Sequence, residues 1–133
     1  MKRKKQENTS KGFIYVLSNP AFDGLLKIGF TTRSVKQRAK ELYGTGVPDP
    51  FKIEYSKKLA NAYKIEQQVH ICLRKYRHKR NREFFKCDLK TAINTINMVS
   101  KQRVELLADY SNLVIVLLFI ITFTITLWLT LLS

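Results

Sequence analysis

The chain has 133 residues and sets 24 Lys and Arg against 10 Asp and Glu, a formal net charge of +14. All of these charges lie before residue 110, which leaves room for one small domain and points to anionic partners, nucleic acid or lipid. The two cysteines and two histidines (Cys72, Cys87, His70, His78) lack the paired close spacings of a structural zinc site. Neither a Ser/His/Asp set nor a Gly-rich phosphate loop is present, and no internal repeat is visible.

Residues 1–11 are polar and basic with nothing to bury, and are expected to form a flexible arm. From Gly12 the pattern changes. GFIYVLS is β-branched and aromatic, residues 19–24 are turn-rich, and LLKIGF supplies a second strand, which predicts a hairpin with a six-residue loop. Ser34 is placed to cap a helix, with Gln37 completing a capping box, and Val35, Ala39 and Leu42 share one face of it. Residues 44–50 hold two Gly and two Pro and force a loop. FKIEYSKKL alternates and reads as a third strand.

The next helix is the best defined. Asn61 is expected to cap it, and Ala62, Ile65, Val69, Cys72, Leu73 and Tyr76 form an apolar stripe at 3.6-residue periodicity. Glu66 and His70 then fall on the shoulder of that stripe, neither in the core nor on the solvated face. Residues 82–87 suggest a short strand, and Asp88 caps a last helix. The fold class expected is α+β, a small mainly antiparallel three-stranded sheet flanked by helices, within residues 12–97.

Residues 98–112 are expected to be a helical connector to an anchor at 113–132. Those twenty residues carry no charge, and at about 1.5 Å per residue they span roughly the 30 Å hydrocarbon core of a bilayer. Thr122, Thr124, Thr126 and Thr130 can bond back to carbonyls a turn earlier, and Trp128 suits an interface. The expectation is a single-pass tail anchor with the basic N-terminal domain on the cytoplasmic side. There the cysteines stay reduced and serve as small buried apolar residues.

A hairpin bearing Gly12-Phe13-Ile14-Tyr15 and then Lys27-Ile28-Gly29, followed by Arg38 on one helix and Glu66 on the next, resembles the GIY-YIG nuclease superfamily. Lys-Ile-Gly in the second motif, Glu66 with His70, and Arg82-Glu83-Phe84-Phe85 are similar to its phage-type DNA-binding branch. The resemblance implies that Tyr15 helps deprotonate an attacking water, that Arg38 holds the scissile phosphate, and that Glu66 binds one Mg²⁺ or Mn²⁺. A hard cation held by a single carboxylate plus water and phosphate fits that assignment. Lys27 stands where the family's second tyrosine is expected. A cation there would favour Tyr15 ionisation or contact phosphate, or would mark a branch that binds DNA without cutting it.

Each of these residues also has a plainer role open to it: Tyr15 as a core aromatic, Arg38 as a solvated helix residue, Glu66 and His70 as a local i,i+4 pair. Between residues 74 and 82, six of nine are basic: Arg74, Lys75, Arg77, Lys79, Arg80 and Arg82. Such a cluster neutralises DNA phosphates and gives salt-sensitive binding, though it would also suit anionic lipid. Stacking aromatics are sparse, so duplex backbone is the expected target. The reading is a membrane-anchored DNA-binding protein that hydrolyses DNA with a divalent metal. A non-catalytic DNA tether and a lipid- or protein-binding scaffold are the alternatives.

Overall fold

The computed structural model describes residues 11–132, so of the basic arm expected over residues 1–11 only Lys11 lies among the described residues. Strands β1 (Gly12–Ser18) and β2 (Leu26–Thr31) form the expected antiparallel hairpin, in a register that sets Tyr15 opposite Gly29 and Leu17 opposite Lys27. Its loop is pinned by Asn19, whose Oδ1 accepts from Ala21 N at 2.8 Å and whose Nδ2 donates to Asp49 O at 2.6 Å. Gly24 closes the loop at φ +69°, a left-handed conformation that glycine adopts without strain. Helix α1 (Val35–Leu42) starts where Ser34 Oγ accepts from Gln37 N at 3.1 Å. Strand β3 (Lys52–Leu59) pairs with the far side of β1.

The sheet has four strands among the described residues, not the three expected from the sequence. β4 (Phe84–Phe85) pairs with β2, giving the antiparallel order β3-β1-β2-β4. Two residues are too few to carry an alternation, and the pairing is made by a loop instead: Ile28 N donates to Glu83 O, and Lys86 N to Tyr76 O.

Helix α2 (Ala62–Cys72) begins without the expected cap. Asn61 adopts φ 56° to turn the chain sharply out of β3, and its side chain makes no capping bond. The stripe also needs correction. Ala62, Ile65, Val69 and Leu73 are buried and Tyr76 partly so, but Cys72 is exposed; Cys87, outside the stripe but also expected to be buried, is only partly covered. Glu66 and His70, expected at the shoulder, are 2% and 7% exposed because α2 lies directly on β1 and β2.

One sheet face carries Ile14, Val16 and Ile28 against α2 and against Ala92, Ile96 and Val99 of helix α3 (Leu89–Leu132). The other face carries Tyr15 and Leu17 against Val35 and Ala39 of α1. Asp88 caps α3, accepting from Thr91 N at 2.8 Å, and Lys57 Nζ bonds Asn97 Oδ1 at 2.8 Å and Ser100 Oγ at 3.0 Å, tying β3 to α3. The described residues divide into two units, one ending at Ser100 and the other beginning at Lys101. The second unit contains the apolar part of α3. α3 is 44 residues long, and it is long and apolar enough to cross a membrane. Thr122, Thr124 and Thr126 donate to carbonyls three residues earlier at 2.8–2.9 Å.

Candidate functional site

Tyr15 is 1% exposed, and its ring lies across Gly29. A Cβ at position 29 would stand 2.6 Å from Tyr15 Oη and 2.8 Å from Cζ, so only glycine leaves the ring its place. α1 brings Arg38 over the same spot, and its guanidinium donates a hydrogen bond to the phenol while reaching Glu41 at 3.5 Å. Burial pushes the phenol above its ordinary pKa of 10.0, and Arg38 pulls against that rise. The phenol is therefore neutral at pH 7. Arg38 is held above its ordinary value, first by its bond to Tyr15, and stays charged.

Glu66 and His70 approach from α2. His70 Nε2 lies 2.9 Å from the Ile28 carbonyl of β2 and 3.4 Å from Glu66 Oε1. Burial lowers the imidazole pKa against the opposing pull of that carbonyl, so the ring is neutral at pH 7 and donates Nε2–H to Ile28 O. Its contact with Glu66 is accordingly not an ion pair. Glu66 has the most perturbed carboxyl of the site: burial raises it from 4.5 to about 7, opposed by a hydrogen bond from Gln67, with Glu83 raising it and Lys27 and Arg77 lowering it. A buried carboxylate so short of compensation is the kind of group a bound cation stabilises. Among the described residues no group of three or more His, Cys, Asp or Glu comes together. The donor set therefore suits a hard cation that takes one carboxylate and fills its other positions with water and phosphate oxygen, not a closed protein cage.

Lys27 is engaged by an acid. Its Nζ bonds Glu83 Oε2 at 2.8 Å and sits 5.2 Å from the Phe84 ring centre. Its partner Glu83 is among the charges that raise Tyr15. Glu83 thus reaches every part of the cluster, raising Tyr15 and Glu66 and opposing the fall of His70. Sequence reasoning left it unassigned. The signal was its place in Arg82-Glu83-Phe84-Phe85, but only the β2–β4 pairing turns it toward Lys27. Of the basic cluster, Arg77 is turned inward, 5.1 Å from the Phe85 ring, where its charge acts on Glu66 and His70. Arg74, Lys75, Lys79, Arg80 and Arg82 remain exposed.

The T5orf172 domain family model matches residues 12–100, two-thirds of the chain and every element that builds this site. The chain belongs to the T5orf172 domain family. That domain is related to the GIY-YIG and phage-type nucleases, and it suggests a nuclease-like DNA-binding module over residues 12–100. No curated protein and no solved structure matches the chain.

Proposed function

We propose that this T5orf172 domain binds DNA through the phosphate backbone, hydrolyses it with Mg²⁺ or Mn²⁺ held at Glu66, and is kept at a membrane by residues 113–132 of α3, with the basic domain (residues 12–97) cytoplasmic. What carries the reading is a set of buried ionisable groups, Tyr15, Lys27, Glu66 and His70, placed around strand β2: Tyr15 crosses Gly29, His70 meets Ile28 O, and the charge of Glu66 reaches Tyr15, which Arg38 also touches. A core that served stability alone would fill those positions with apolar side chains, because burying such groups costs free energy.

In this account Arg38 leaves its weak contact with Glu41 and grips the scissile phosphate, its planar fork giving two charge-assisted bonds. Tyr15 Oη, fixed by Gly29 and Arg38, orients the attacking water and takes up its proton once the phenol has lost its own. When bound, the divalent cation supplies charge stabilisation to the phosphate and its leaving oxygen. His70 is a positioning residue: its bond to Ile28 O fixes α2 against β2 and so sets where Glu66 stands. The Lys27–Glu83 pair holds the basic loop against β2. Arg74, Lys75, Lys79, Arg80 and Arg82 neutralise flanking phosphates.

A DNA tether without catalysis is favoured by one observation, that the lysine in place of the second tyrosine is engaged in an ion pair with Glu83. The full chain in detergent micelles, incubated with end-labelled duplex across a salt series and with Mg²⁺, tests the proposal. Binding that weakens steeply with salt, together with cleavage that Arg38→Ala loses while still binding, is the expected result. Duplex binding that does not weaken with salt, or cleavage that Arg38→Ala leaves unchanged, would contradict it.

A further inference from the structure

Beside the site lies a cavity of about 610 Å³ that the proposed chemistry does not use. Phe22, Phe51 and Phe84 line it, with Phe22 edge-on to Phe84 at 5.3 Å and tilted to Phe51 at 6.3 Å between ring centres. His78, Lys79 and Arg82 line it as well, all three exposed and all from the basic loop. No carboxylate is among its lining residues. Lys27, which bonds Glu83 beside Tyr15 and Glu66, also lines it, so the cavity and the candidate catalytic cluster share a side chain.

We propose that this cavity receives a single unpaired nucleobase of the DNA, stacked among the three phenylalanines, with the adjoining phosphates held by Lys79 and Arg82. The inference rests on the DNA-binding reading above and deepens it. Aromatic walls alone would suit any apolar ligand. Cations with no opposing acid at the rim select one with phosphates attached, and a nucleotide joins both features in a single group. A volume of this size is that of an ordinary small-molecule pocket and accepts a base with its sugar. Unstacking a paired base costs free energy, so a base already extruded, as in a one-nucleotide bulge, is the preferred occupant. Stacking contributes roughly ten- to hundred-fold in affinity per base, which sets the size of the expected preference.

The test uses the full chain in detergent micelles, with EDTA present to prevent cutting, and two labelled duplexes of equal length. One is perfectly paired and the other carries a single bulged nucleotide. The bulged duplex is expected to bind roughly ten-fold or more tightly than the perfect one. Val47→Trp, which fills the cavity from the 44–50 loop, and Phe22→Leu, which removes an aromatic wall, are each expected to erase that preference while leaving perfect-duplex binding unchanged. Equal binding of the two duplexes by the wild type, or a preference that survives Val47→Trp, would overturn the inference and leave the DNA-binding reading standing. Absence of salt-sensitive binding to either duplex would overturn both.

Discussion

Glu66→Gln keeps the shape of the buried side chain and removes its charge, and its consequence for stability follows from the carboxyl's environment. Burial raises the Glu66 pKa from 4.5 to about 7, so between those values the folded state holds a proton that the unfolded chain has released. Stability is therefore fully present below pH 4.5 and is lost as pH rises toward 7. At about 1.4 kcal/mol per pH unit, a rise of this size amounts to about 3 kcal/mol of lost stability above pH 7. The glutamine variant does not titrate and escapes the loss. At pH 8 it is expected to be the more stable protein by about 3 kcal/mol, and at pH 5 by less than about 1 kcal/mol. Amide hydrogen exchange of the slowest β1 protons, compared between variant and wild type at the same pH, reads the difference directly. About a hundred-fold slower exchange in the variant at pH 8 is expected, with near-equality at pH 5. Millimolar Mg²⁺ at pH 8 should narrow the gap by stabilising the ionised wild type alone. A difference that is the same at both pH values would refute the burial argument.

Three further outcomes follow from the same geometry. Gly29→Ala drives a Cβ into the Tyr15 ring and should cost about 1–3 kcal/mol in a denaturant titration while abolishing cleavage, because the phenol loses its position. Since burial raises the Tyr15 pKa, the phenolate is scarce at neutral pH; the cleavage rate should climb about ten-fold per pH unit through pH 9, and a rate flat above pH 7 would remove Tyr15 as the base. Changing Lys79 and Arg82 together to Gln should weaken binding to all sequences alike and reduce the slope of log affinity against log salt by about 0.9 for each phosphate no longer neutralised.

The elements that the sequence displayed are those whose cause is local. The β1–β2 hairpin follows from β-branched runs about a turn-rich loop, and the Ser34 and Asp88 caps each sit three residues before the N–H they satisfy. What escaped was set by partners distant in the chain. Residues 82–87 read as a short strand, but that Phe84–Phe85 joins the sheet as its fourth strand depends on Glu83 O meeting Ile28 N, a long-range pairing that two phenylalanines cannot announce. Asn61 satisfies the capping rule by type, yet the tight exit from β3 takes its backbone into the left-handed region instead. Periodicity put Glu66 and His70 at the edge of a stripe correctly, but how deeply an edge is buried depends on what lies against it, and β2 lies there. Lys27 was recognisable as a departure from the resembled motif, while its neutralisation by Glu83 was not. The basic cluster looked uniform in sequence; the bridge between Arg77 and Phe85 is what separates Arg77 from its exposed neighbours.

The central claim is that the cluster around Tyr15 and Glu66 cuts DNA. Supercoiled plasmid incubated with the full chain in micelles, with and without Mg²⁺ or Mn²⁺, tests it most directly beside Tyr15→Phe and Glu66→Ala. Metal-dependent nicking by the wild type is expected, lost in both variants while they still retard the plasmid in a gel. Retardation with no nicking by the wild type at any pH up to 9 would contradict the claim and leave a DNA tether.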